Sequence, residues 1–153
     1  MAIGDNWRRR ETTLRAEALV PGIAFAAVVH ARATVAPDVE LGPGSVVLPG
    51  AVIVSGTRLG RGCIVNTLAS LDHEGLLDDF ASLAPGVVAG GRVQVGEGSA
   101  IGLGARLVHR VRVGRHSVVG AGSLVLDDVP DGVVAYGSPA RVVRPRAPDE
   151  PYL

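Results

Sequence analysis

Between Val29 and Val125 every sixth residue is apolar: Val29, Val35, Leu41, Val47, Ile53, Leu59, Val65, Leu71, Leu77, Leu83, Ala89, Val95, Ile101, Leu107, Val113, Val119 and Val125. Only Ala89 in this column is not Val, Ile or Leu. Four residues beyond each member runs a second column of small or β-branched residues, from Ala33 through Ala51, Cys63, Ala81, Ser99 and Ser117 to Val129. Glycine recurs one residue after the aliphatic position, at Gly42, Gly60, Gly90, Gly96, Gly102, Gly114 and Gly120. Six residues suffice for a short strand and a corner, and three such units close a triangular coil of eighteen. Large aliphatic side chains fill the triangle, small ones sit where the corner crowds, and glycine is expected to ease the turn. Successive coils pair as parallel strands about 4.8 Å apart. Each coil buries its interior only against its neighbours. The pattern therefore predicts an all-β parallel β-helix over 29–130, a little under six coils. A β-sandwich would keep a two-residue alternation broken by irregular turns, not a six-residue register over a hundred positions.

The ends depart from the period. Residues 6–19 read as a helix, with Asp5 as N-cap and Pro21-Gly22 as stop. Ile23 to Val29 reads as an apolar strand entering the first coil. The register breaks at Val129-Pro130-Asp131-Gly132, and Val133 to Tyr136 reads as a last strand. The tail is rich in proline and charge, and disorder is expected beyond about Arg146. The chain divides into 1–28, a β-helix over 29–144 and a tail over 145–153.

Fifteen basic and fifteen acidic residues cancel, which leaves no net field for nucleic acid or an anionic membrane. Every basic residue is Arg, so chemistry needing a lysine amine is excluded. Cys63 is the single cysteine, and no intramolecular disulfide can form. The first residues lack the apolar core of a signal peptide, and no apolar run has the length to span a bilayer. A soluble cytoplasmic protein is the expectation.

Candidate chemistry concentrates at Asp72, His73 and Glu74, three consecutive polar residues where corners otherwise carry polar residues singly. Histidine is the side chain whose ordinary pKa suits proton transfer near neutrality, and a neighbouring carboxylate can fix its tautomer. A solvated corner with incidental charge is the plainer reading. Residues eighteen apart stack, so Gly91, His109 and Asp127 lie above His73 and Ser55 below it. Gly91 would leave an open slot with an exposed backbone N–H, suited to a pantetheine arm and to an oxyanion. A tight corner is the rival explanation of Gly90-Gly91.

The segments VNTLASLDHE, DDFASLAPGVVAGGRVQVGEGSAIGLGARL and VGRHSVVGAGSLVLDDVPDGVVAYGSPARVV resemble, in order and spacing, the hexapeptide-repeat sugar acetyltransferases of the sialic-acid O-acetyltransferase and UDP-4-amino-sugar N-acetyltransferase type. The resemblance covers 1–144 and implies a left-handed β-helix, a homotrimer with sites in the clefts between subunits, acetyl-CoA as donor, and direct transfer to an amine or hydroxyl of a sugar-like acceptor. It implies His73 as general base and Glu74 as the residue raising its basicity. Asn66 and Asp72 match polar residues near the acceptor. Gly91 and Leu103 match positions along the CoA channel, with Ala121 and the Pro139-Ala140-Arg141 end near the rest of CoA. Arg141 or Arg144 carries the charge to meet CoA phosphates.

Two departures stand out. Relatives often carry His in the segment that is Phe80-Ala81-Ser82 here, so Ser82 takes its place. Full-length relatives begin with a small Rossmann-like domain, of which Ala2-Ile3-Gly4-Asp5-Asn6 and the helix resemble only the end. Two other classes remain open. One is a γ-carbonic-anhydrase-like metalloenzyme, with His73 and His109 two coils and about 10 Å apart. The other is a non-catalytic β-helix serving as a scaffold or binding module.

Overall fold

The structure, a computed structural model, describes residues 4–152. The six-residue period becomes a run of two-residue strands, each centred on the aliphatic column. Strands eighteen residues apart pair in parallel, as in Val28–Val29 with Val46–Val47 and Val52–Ile53 with Ser70–Leu71. Three sheets result. The first face has eight strands, the second, from Thr34–Val35 to Leu124–Val125, has six, and the third, from Glu40–Leu41 to Arg112–Val113, has five. The architecture is the expected parallel β-helix with one short N-terminal helix.

Val47, Ile53, Val65, Leu71, Leu77, Leu83, Val95, Ile101, Val119 and Val125 fill the interior and are almost wholly buried. Each such side chain contributes about 1.5–3 kcal/mol of burial. The small column carries a polar thread. Ser45 donates to the Gly60 carbonyl at 2.8 Å and accepts from the Cys63 N–H at 3.0 Å. Ser99 does the same between Gly114 and Ser117. These hydroxyls satisfy corner backbone groups that the short strands leave out of the ladder.

The glycines of the expected turn column act differently from the sequence reading. Gly96 and Gly102 do not adopt a left-handed backbone. A Cβ at Gly102 would stand 2.7 Å from the Ala121 nitrogen, and one at Gly96 2.8 Å from the Arg115 nitrogen. Close approach of successive coils, not backbone freedom, selects glycine there. The left-handed position comes two residues later and accepts larger side chains, including Leu68, Glu74, Phe80 and Arg92.

The helix spans Asn6–Leu19, with the Asp5 side chain accepting from the Arg8 N–H at 2.9 Å. It runs down the corner between the third and first faces. Asn6 Nδ2 donates to the Ser99 carbonyl at 2.9 Å, and Arg9 to the carbonyls of Phe80 and Gly62, both at 2.8 Å. Fourteen residues give about 21 Å of helix, close to four inter-coil steps of about 4.8 Å. The helix thus carries the chain from the fifth coil's level back to the first. Its buried face is polar, formed by Asn6, Arg9 and Thr13. Of the segment after it, only Val28–Val29 is a strand, where the second coil supplies Val46–Val47 as partner.

At the other end the stacking step shortens from eighteen to sixteen residues, pairing Val118 with Val134. Asp128 and Asp131 accept from the N–H groups of Arg112 and Arg115, at 2.8 and 2.7 Å. Asp128 stands where a regular coil would offer a carbonyl, while Asp131 repeats the contact that Asp79 makes with the Arg61 N–H lower in the β-helix. The last strand, Val133–Gly137, is joined by an antiparallel strand, Ala140–Pro145, that the sequence reading did not anticipate. The tail, expected to lose order beyond Arg146, is tied back instead. Arg146 is buried and donates to the His116 carbonyl at 2.8 Å, while the Tyr152 hydroxyl accepts from the Asn6 N–H at 3.1 Å. Of the opening segment read as the end of a Rossmann-like domain, Ala2 and Ile3 lie outside the described residues.

Candidate active site

His73 follows the strand Ser70–Leu71 at the corner between the second and third faces. Its N–H donates to its neighbour's Asp72 Oδ1 at 2.7 Å. Glu74 occupies the left-handed position, φ 56°, and its Oε2 lies 3.1 Å from His73 Nδ1. One coil above, Arg92 Nε donates to the same oxygen at 2.8 Å. Arg92 and then His73 hold the Glu74 carboxyl below its ordinary value. Beside an ionised Glu74, which can only accept, the neutral His73 tautomer that makes this hydrogen bond keeps its proton on Nδ1 and its lone pair on Nε2, the arrangement a general base needs.

Gly91 stacks directly above His73. A Cβ there would collide with Nε2 and Cε1 of the imidazole. His109 occupies the next coil, its ring centroid 6.5 Å from that of His73 and tilted by 32°. Two expectations change here. The Gly91 N–H is not exposed, because it donates to His109 Nδ1 at 2.8 Å. The two imidazoles also stand closer than two coil steps, because the intervening glycine lets both rings lean over it. His73, Gly91, Arg92, His109 and Arg110 line one cleft of about 280 Å³.

Asn66, Ser82, Leu103 and Ala121 gather elsewhere, with Pro85 and Tyr152, in a largely apolar groove of about 350 Å³. This groove runs along the first face to its corner with the second. Asn66 uses its side-chain oxygen to accept from the Thr67 N–H at 2.8 Å. Burial in that surrounding pushes the Tyr152 phenol up. Within one chain, therefore, Asp72, His73, Glu74 and Gly91 form one cluster, and Asn66, Ser82, Leu103 and Ala121 form a second, with the second face between them. Arg141 belongs to neither. It lies on the final hairpin, where Nη1 is 3.5 Å from Asp127 Oδ2. Arg144 pairs with Glu150, which holds its guanidinium above the ordinary value.

Asp72, His73 and His109 bring donor atoms within 4.8 Å of one another, a set of the kind that holds a cation. Glu74 and Gly91 already engage Nδ1 of the two rings. His116, far from this set, packs edge-on against Trp7 at 6.4 Å. Sequence reading missed Arg92 as the partner of Glu74, and it stacked His109 above Gly91 without foreseeing the hydrogen bond between them. The eighteen-residue step holds the signal for both, since 92 is 74 plus 18 and 109 is 91 plus 18.

No family model matches the sequence. Solved structures do. The acetyltransferase domain of PglB from Neisseria gonorrhoeae, in complex with acetyl coenzyme A, is 41% identical, with a TM-score of 0.89 over 93% of this chain and 68% of that one. A variant of GDP-perosamine N-acetyltransferase from Caulobacter crescentus, in complex with CoA and GDP-perosamine, is 36% identical, with a TM-score of 0.90 over 94% and 67%. The chain belongs to the hexapeptide-repeat sugar acetyltransferases. WeeI from Acinetobacter baumannii, 26% identical over 93% of this chain, has a TM-score of 0.77. Membership makes this acetyltransferase an acyl-transferring enzyme, the class that the sequence resemblance implied. No helix among its described residues is long and apolar enough to cross a membrane.

Proposed function

We propose that this acetyltransferase moves an acetyl group from acetyl-CoA to an amino group on a sugar or sugar nucleotide, with His73 as general base. His73 Nε2 takes the amine proton as the nitrogen attacks the thioester carbonyl. The tetrahedral intermediate collapses, the C–S bond breaks, and the imidazolium returns the proton to the departing CoA thiolate. The observation that carries this reading is the bond from His73 Nδ1 to Glu74, which Arg92 braces. It leaves Nε2 as the free basic atom of a cleft. General base catalysis of this kind contributes roughly 10²- to 10⁴-fold. The relatives bound to acetyl coenzyme A, and to CoA with GDP-perosamine, support the donor and the acceptor class.

The donor is assigned to the apolar groove, with Leu103 and Ala121 along the pantetheine and Ser82 as hydrogen-bond donor to the acetyl end. Asn66 and Asp72 serve the acceptor, Gly91 makes the room that the His73 ring fills, and Arg141 meets CoA phosphate. Groove and base sit on different corners, and the second face between them presents Val52 and Val88 outward. A homotrimer in which one chain's groove meets another's His73 unites them, as the sequence resemblance implies. Acetyl-CoA as donor fits the expected cytoplasmic location.

The test is thiol release from acetyl-CoA across a panel of free and nucleotide-linked amino sugars, with mass by light scattering. Acceptor-dependent thiol release from a species of three chains is the expected result. Binding of acetyl-CoA without transfer to any acceptor would favour a non-catalytic module, and a monomeric active species would overturn the shared site.

A further inference from the structure

We propose that His109 is an acceptor-binding residue that donates a hydrogen bond to a hydroxyl next to the amine under attack, so that the enzyme prefers vicinal amino-hydroxy sugars. The inference rests on the acetyl-transfer reading above and extends it to the acceptor's structure.

The Gly91 amide is a donor only, and it points at His109 Nδ1 from 2.8 Å. That nitrogen must therefore present its lone pair. A neutral imidazole has one donor and one acceptor nitrogen, so the proton of His109 resides on Nε2. His73 is the opposite case, since its Nδ1 faces the Glu74 carboxylate and its lone pair resides on Nε2. Two rings 6.5 Å apart in one cleft thus carry opposite tautomers, one set to take a proton and the other to give a hydrogen bond. The Gly91 amide polarises the His109 ring and strengthens its outer N–H as a donor.

The match on an acceptor is an amine and a hydroxyl on adjacent carbons. Such groups are roughly 3 Å apart, and each can meet one ring at ordinary hydrogen-bond distance. The thioester carbonyl arrives from the groove at the other corner, on the Ser82 side, so His109 is assigned to the acceptor and not to the oxyanion. A merely structural His109 would cap the Gly91 amide and affect stability alone.

The experiment compares kcat/KM for two amino sugars that differ only in a hydroxyl beside the amine, in wild type, His109→Ala and His109→Gln. One hydrogen bond to a neutral group makes the wild-type preference about tenfold. His109→Ala is expected to erase it, with the acetyl-CoA KM unchanged, and His109→Gln to restore part of it through its amide donor. Long-range ¹⁵N–¹H spectra of the wild type provide the second readout, with a protonated Nε2 and a bare Nδ1 at His109 as the expected result. A preference that survives His109→Ala in an active enzyme overturns this inference alone, as does a proton found on Nδ1. A wild type inert to every acceptor overturns the transferase reading and this inference with it.

Discussion

The Cα of Gly91 sits against the imidazole of His73 with room for a hydrogen and nothing larger. The imidazole belongs to one coil, and the residue that makes room for it belongs to the next, eighteen positions along. Gly91 is not in the left-handed region, so its requirement is one of space. That separates it from the glycines that turn corners.

Gly91→Ala should therefore damage activity more than stability. The added methyl meets the end of an exposed side chain, which can swing away, and the backbone has no conformational objection. Turnover is expected to fall about 100-fold, through a misplaced base, while the melting temperature moves by only a few degrees. Steady-state kinetics beside a thermal melt would show the split.

His73→Ala should cut turnover by roughly 10²- to 10⁴-fold and leave the circular dichroism spectrum and melting temperature close to wild type, because the ring is exposed and outside the core. Unchanged turnover would remove His73 from the chemistry.

Glu74 gives a titration that can be read directly. Its carboxyl is held below the ordinary value, first by Arg92 and then by His73. A depressed folded value means that these contacts favour the folded state above the unfolded carboxyl's pKa, and that the benefit fades as pH falls through the folded value. In Arg92→Ala the Glu74 side-chain ¹³C titration midpoint should move up toward that of a free glutamate. An unmoved midpoint would show that Arg92 does not hold the carboxylate.

Cys63 predicts the behaviour at the alkaline end. Burial pushes its thiol up to about 12, against 9.0 for a free one. A raised folded value stabilises the fold fully below pH 9, and that contribution is lost between about 9 and 12, at roughly 1.4 kcal/mol per pH unit from this group. Native protein should resist thiol reagents at pH 8, and Cys63→Ala should flatten the alkaline fall in stability measured by denaturant titration.

The repeat was legible because one residue in six must face the same interior, and the column from Val29 to Val125 records that constraint. The helix was legible from Asp5 and Pro21-Gly22, although its docking through Asn6 and Arg9 carries no periodic trace. The strand Ala140–Pro145 escaped notice because its partner is local and antiparallel, and its residues, among them Arg141 and Arg144, look like tail. At the site, sequence adjacency exposed His73 with Glu74. Arg92 and His109 act across coils: adding eighteen to 91 placed His109 over Gly91, and the same step from 74 would have found Arg92. The separation of Ser82, Leu103 and Ala121 from His73 follows from which corner each hexapeptide reaches, a matter of counting in threes.

The two ends of the spiral differ in kind. At the top, the hairpin Val133–Gly137 with Ala140–Pro145 turns the last strand antiparallel, and Asp128 occupies the Arg112 amide that another turn would have used. At the bottom, Val28–Val29, Thr34–Val35 and Glu40–Leu41 are terminal in their sheets, and Val28 and Val29 are exposed. The molecule is therefore a directional template: below, all three sheets end on a parallel strand that an added strand could extend, whereas above, the hairpin covers the first sheet and Leu124–Val125 ends the second.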